Sequence, residues 1–306
     1  MSKFLKSLKT MVMNTGLKLF TLDEKLAYLV FKTKSSNVNQ IVLLPTGDTC
    51  KKKLLNIMKT STKIGNLHNG KINGVSVTIL RAGIGSSHVA MVMEALKRSN
   101  CRIAIRIDYC GGLQTMDHTL DIADVIIPEK VFLTDGTAHS YLQTYSHILD
   151  TLPIESKLVK TGDLQKLMLY PSYENAYWAI QVNQKLYQGL WDCLQGLNYE
   201  FKIKSGILWS VDALFCETES AIRTWLTYGA NSVDMESSAV YFLGQLFNIP
   251  TISILGISDL PDSKQWNFQR TNYIHPKYEF ILDNAIEVLT LALPEINEKV
   301  ISHESS

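Results

Sequence analysis

Along the chain, short apolar runs alternate with segments whose apolar residues return at helical spacing. Leu22–Phe31 (L-D-E-K-L-A-Y-L-V-F) has the helical pattern. Gln40–Leu44 is a compact apolar run with the length and β-branched content of a buried strand. Lys71-Ile72-Asn73-Gly74 predicts a hairpin turn between Gly65–Asn69 and Val75–Leu80, because Asn-Gly tolerates the left-handed backbone of a two-residue turn. Further strands are predicted at Cys101–Ile107, Asp124–Pro128, Phe201–Leu208 and Thr251–Ile257. Helices are predicted at His88–Lys97, Tyr173–Leu197, Glu219–Tyr228, Ser237–Leu246 and Tyr278–Leu293. Strand–helix alternation with one hairpin implies an α/β chain, a three-layer α/β/α sandwich around a central mixed β-sheet.

This pattern divides the chain into an N-terminal helical extension, residues 1–39, and a single domain, residues 40–306. The extension begins with Lys3, Lys6, Lys9 and Lys18, and Phe4, Leu5, Leu8, Met11 and Val12 share one helical face. Met1–Phe20 lacks Arg and a small-residue cleavage site, so an amphipathic extension is expected in preference to organelle targeting.

Composition narrows the picture. A chain of 306 residues with 46% hydrophobic content can bury a large core. Its net charge of +1 argues against a nucleic-acid groove. The five cysteines, Cys50, Cys101, Cys110, Cys193 and Cys216, have no C-x-x-C spacing and are odd in number. They read as reduced thiols of a cytoplasmic protein, with no zinc or other metal site. No apolar run approaches the ~20 residues of a membrane span.

The richest chemistry lies in Asn231–Asp259. Asp234 and Glu236 bracket Met235 just before a helix, and a buried strand then ends on Ser258-Asp259. An acid at the C-terminal end of a buried strand is where open α/β sheets keep their ligands. Glu236 could equally cap the helix. Gly47, between a strand and a helix, could let backbone N–H groups approach an anion. Arg106 could hold an anion or form a strand-end ion pair with Asp108.

V-D-M-E-S-S-A followed by a strand ending in S-D resembles the purine nucleoside and uridine phosphorylase family, with the hexameric-type purine branch favoured. Nucleoside hydrolases of the same fold share both segments. Gly47-Asp48, Arg106–Gly111, Gly206 with Ser210, Asp212 and Phe215, and Asp135-Gly136-Thr137 are similar to further family motifs. The resemblance implies phosphorolytic cleavage of the N-glycosidic bond of a purine nucleoside. Glu236 would hold the ribose hydroxyls with Met235 beneath the sugar. Asp259 would protonate N7 of the base, and Leu214, Phe215, Val233 and Ser258 would surround that base. Gly47, Lys51, Arg106 and Tyr109 would hold inorganic phosphate as co-substrate, with no metal or organic cofactor.

The chain also departs from the family. Lys51 stands where an Arg is usual, Asp108 where a Gly is usual, and Tyr109 where Ser or Thr is usual. Cys216-Glu217-Thr218-Glu219-Ser220 replaces the Gln and Arg of uridine-specific members, which favours a purine. Asp108 keeps a hydrolase, with water as nucleophile, in view. The resemblance also leaves room for a uridine phosphorylase and for a non-catalytic nucleoside-binding homologue. The family further implies a homo-oligomer, dimer or hexamer, in which Lys63 aligns with an Arg lent to a neighbouring subunit.

Overall fold

The computed structural model describes residues 21–114, 119–157, 177–270 and 272–298. The expectation for Met1–Phe20 lies outside them. Thr21 starts helix α1 (Leu22–Phe31) through a capping box: its hydroxyl accepts the Glu24 N–H at 3.2 Å, and the Glu24 carboxylate accepts the Thr21 N–H at 2.8 Å.

Strand β1 (Ile41–Leu44) is buried along its whole length and leads through Gly47 into α2 (Asp48–Ile57). Strands β2 (Lys59–Ile64), β3 (Leu67–Ile72) and β4 (Val75–Ile79) form an antiparallel meander. Asn73 and Gly74 both have positive φ, 46° and 82°, as the predicted turn requires. Helix α3 (Ser86–Leu96) follows, then β5 (Ile103–Gly112) and β6 (Val125–Leu133), both longer than expected. Asp135 caps α4 (Gly136–Thr144) by accepting the Ala138 N–H at 2.9 Å. Strand β7 (Ile154–Lys157) pairs antiparallel with β8 (Tyr177–Gln181), which is followed by α5 (Gln184–Leu194). The chain ends β9 (Ile203–Ser210), α6 (Glu219–Thr227), β10 (Ser232–Asp234), α7 (Ser237–Leu246), β11 (Thr251–Asp259) and α8 (Phe280–Ile296).

The helix expected over Tyr173–Leu197 is corrected. Its described part is a strand from Tyr177 to Gln181 and a separate helix capped by Asn183. Aromatic and β-branched side chains suit a strand that pairs with β6, with Ala179 opposite Phe132, and that pairing overrides a loosely helical aromatic spacing.

The described strands join one eleven-stranded mixed sheet. Strand β5 is its hub, lying parallel to β1 and β11 and antiparallel to β10. Strand β10 continues to β9, β9 to β6, and β6 returns to β11, so these strands close into a ring. Helices α1, α3, α4 and α7 pack in one layer and α2, α5 and α8 in another, which makes the α/β/α sandwich. Helix α8 buries Ile281, Leu282, Val288, Leu289 and Leu293. Each such side chain contributes roughly 1.5–3 kcal/mol. An added Cβ at Gly256 would collide with the Ile281 carbonyl oxygen, so α8 lies directly on the β11 backbone.

Candidate active site at the strand ends

Alternation along β5 places Arg106, Asp108 and Cys110 on one face and Ile107, Tyr109 and Gly111 on the other. Register then gathers the ends of three strands. Gly111 faces Asp259 of β11 on one side and Val233 of β10 on the other. A Cβ at Gly111 would meet Val233 and Pro261 at 2.9 Å, so only glycine lets these strands close up here.

Arg106 is 1% exposed, a position tolerated only with charged partners. Its Nη1 lies 2.9 Å from Asp234 Oδ2 and its Nη2 donates to Glu236 Oε2 at 2.6 Å. Burial opposes its charge, but Asp234, Glu236 and Asp108 outweigh that and hold the guanidinium above its ordinary range. Its Nε has no hydrogen-bond partner among the described residues.

Glu236 does not cap α7 with its side chain. Instead Asp234 accepts the Ser237 N–H at 3.0 Å and the Ser210 hydroxyl at 2.7 Å, fixing both the helix start and the end of β9. Glu236 Oε1 accepts the Gly85 N–H at 2.8 Å. Burial pushes the Glu236 carboxyl up to about 7; Arg106 opposes this most strongly, while Asp234 and Asp108 add to it.

Asp259 accepts the Ser258 hydroxyl at 2.8 Å and the Phe268 N–H at 3.4 Å. Burial pushes its carboxyl above the ordinary carboxylate range, and these two donors pull it back. Glu217, beyond a short helical turn at Leu214–Cys216, is pushed up to about 8 by burial and then by Asp259. A neutral carboxylic acid therefore stands in the field of a second one. The buried Cys110 thiol links the two halves of the site. Burial and Asp234 push it up, Arg106 opposes, and Asp259 and Asp108 add to the rise. Asp259, Asp234, Asp108 and Arg106 thus act on one side chain.

The structure brings Val233, Met235, Glu236, Ser258, Asp259 and Arg106 to one end of the ring. Met235 is half-buried, and its carbonyl accepts the Ser86 hydroxyl at 2.9 Å. Gly47 lies nearby, with its N–H 3.3 Å from Asp108. Arg106 does not pair directly with Asp108; its partners come from β10 and the start of α7.

Two expected anion ligands stand apart. Lys51 lines a cavity of about 380 Å³ with Lys63, His68 and Arg81, in which neither Arg106 nor Glu236 takes part. Tyr109 points from the opposite strand face and stacks on Tyr278, with ring centroids 6.4 Å apart. Phe215 is 78% exposed, and the Leu214 carbonyl accepts Gln269 Nε2 at 2.5 Å. Glu217 escapes a sequence reading, because a carboxyl buried within C-E-T-E-S carries no residue-type signal.

The family model described as the Phosphorylase superfamily matches residues 47–287. A DeoD-type purine nucleoside phosphorylase of Clostridium novyi (strain NT) is 23% identical over 236 residues, 74% of this chain and 84% of that protein. Purine nucleoside phosphorylase from Toxoplasma gondii, solved with immucillin-H, superposes with a TM-score of 0.63 at 17% identity, covering 90% of this chain and 96% of that one. A 5′-methylthioadenosine/S-adenosylhomocysteine nucleosidase described as putative, from Borrelia burgdorferi B31 with bound adenine, gives 0.62 at 18% identity, covering 83% and 99%. The structural likenesses agree with the observed α/β fold. The family match runs from the Gly47 turn into the C-terminal helix, across every strand end that builds the site. This chain belongs to the Phosphorylase superfamily, whose members include nucleoside phosphorylases and nucleosidases.

Proposed function

We propose that this chain cleaves the N-glycosidic bond of a purine nucleoside. The observation that carries the reading is the strand register that sets Val233 of β10, three residues before Glu236, and Asp259 of β11 on either side of Gly111. Asp259 gives a proton to N7 of the purine as the bond to the sugar stretches. Its burial supports this role, because a raised pKa lets a carboxyl keep its proton toward neutral pH. Glu236 accepts the ribose hydroxyls. One of its oxygens is oriented by Gly85 and the other by Arg106, and each retains a lone pair for the sugar. Its charge favours the positive sugar that forms as the base departs. Met235 packs beneath the sugar.

Val233, Ser258, Leu214 and Phe215 surround the base. The exposed Phe215 would be covered by the base or by a second copy of the chain, in keeping with a homo-oligomer. Glu217, held neutral, offers one donor and one acceptor to the purine edge. The residues around the site need no metal or organic cofactor for this chemistry.

The nucleophile implied by the sequence resemblance is inorganic phosphate, with Gly47, Lys51, Arg106 and Tyr109 as its holders. A second reading, with water as nucleophile, is favoured by Asp108. A carboxylate about 4 Å from a phosphate oxygen costs about 4 kcal/mol per pair of unit charges at intermediate dielectric. Incubation with a panel of nucleosides, with products identified by mass, tests the cleavage itself. Free purine is expected, and no release from any purine nucleoside overturns the reading.

A further inference from the structure

The turn from β1 into α2 has the form of an anion site: a strand, a glycine, and a helix N-terminus with its N–H groups turned outward. Its occupant is the protein's own side chain. Asp108 Oδ2 accepts the Thr46 N–H at 2.5 Å, the Thr46 hydroxyl, and the Gly47 N–H at 3.3 Å. Asp108 Oδ1 accepts the Tyr109 N–H at 2.9 Å. Asp108 is 3% exposed, so the carboxylate is sealed in this nest. Two residues back on the same strand face, Arg106 directs both terminal nitrogens at Asp234 and Glu236. Of the nearby cations, Arg81 donates to the Thr46 carbonyl at 3.1 Å and lies 3.4 Å from Asp48, and Lys51 and Lys63 line the adjoining cavity with them. Carboxylates of the chain itself thus engage the Thr46 and Gly47 N–H groups and both terminal nitrogens of Arg106, while Arg106 Nε has no partner among the described residues. The space beside the loop is not filled: a Cβ at Gly47 would meet no atom within 4 Å.

We propose that Asp108 is a built-in occupant of the anion nest and sets the nucleophile, so that this chain uses water and excludes inorganic phosphate. This rests on the cleavage reading above. The water oxygen bonds to the anomeric carbon of the sugar while the glycosidic carbon–nitrogen bond breaks. The bonding electron pair leaves with the purine, which takes the Asp259 proton at N7. The attacking water loses one proton to solvent, and Asp259 regains one from solvent. The products are free purine and free pentose.

The test measures phosphate binding and reaction products on the wild type and on Asp108→Gly. Inorganic phosphate is titrated calorimetrically and by thermal shift, and nucleoside cleavage is run in ¹⁸O-water with and without phosphate. Wild type is expected to show no phosphate binding, a rate indifferent to phosphate, and ¹⁸O in the released pentose. Asp108→Gly is expected to bind phosphate at least about tenfold more tightly than wild type and to form sugar 1-phosphate. Phosphate binding by the wild type, or sugar 1-phosphate among its products, overturns the proposal. If no nucleoside is cleaved, the cleavage reading falls, and the titration alone decides on Asp108: binding only by the variant supports the plug, and binding by wild type removes it. Asp108→Ser carries the same expectation should the glycine variant fail to fold, and the wild-type titration stands independently of both.

Discussion

Two aspartates on neighbouring strands, one within β5 and one at the end of β11, have opposite surroundings. Asp108 on β5 accepts four hydrogen bonds, from Thr46 N–H, the Thr46 hydroxyl, Gly47 N–H and Tyr109 N–H. Asp259 on β11 accepts two, and the one from Phe268 is long at 3.4 Å. Both lie within the field of Cys110. Donor supply, more than residue type, separates their uses. A carboxyl bound by four N–H and O–H groups is fixed as a structural acceptor, whereas burial with few donors raises the Asp259 carboxyl above its ordinary range.

Replacing the acid is the most severe way to test the contrast. Asp259→Asn is expected to lose about 10²- to 10⁴-fold in kcat while still binding nucleoside, measured by steady-state kinetics and calorimetry. In the wild type the rate should fall as pH rises through the raised Asp259 pKa, because the acid must be protonated; undiminished turnover in the Asn variant would remove Asp259 from its role.

On the other side of the comparison, Thr46→Val removes the hydroxyl donor from Asp108 and leaves a buried oxygen less satisfied. A loss of about 1–3 kcal/mol in urea unfolding is expected. An unchanged midpoint would mean that the nest does not depend on that hydroxyl.

Ser258→Ala takes one of Asp259's donors and should move the alkaline limb of the rate profile upward by about one pH unit. A downward shift would contradict the donor argument.

A further effect is one of linkage. Glu217 is raised from 4.5 to about 8 in the folded chain, so the native state binds more protons than the unfolded state between those values. Its contribution to stability is fully present below pH 4.5 and is lost as pH rises through about 8. Glu217→Gln should flatten the stability curve over that window, as followed by Tm against pH; an unaltered slope would place the titration elsewhere.

Much of the fold was legible because hydrophobic period and turn chemistry agree locally. Leu22–Phe31 coincides with α1, and Asn73-Gly74 turns the hairpin. The segment around Trp178 was not legible, since its aromatics suit a strand as well as a helix and only pairing with β6 decides. In the site, the reactive residue types stand out in the sequence, but their pairings do not. Asp108 lies two residues from Arg106 and is its obvious partner on paper. The structure turns Asp108 to a loop sixty-two positions away and brings Asp234 and Glu236 to the arginine instead. The burial that raises the Glu217 carboxyl depends on tertiary closure and has no local signature.

The contact between Gly256 and Ile281 couples the reactive rim to the far wall of the molecule. Strand β11 carries Asp259 three residues beyond the glycine, and the C-terminal helix rests on the glycine itself. One methyl group there would collide with the Ile281 carbonyl and strain the strand that carries Asp259, the proton donor of the proposed reaction. A survey of variants confined to the residues around Asp259 would overlook this position.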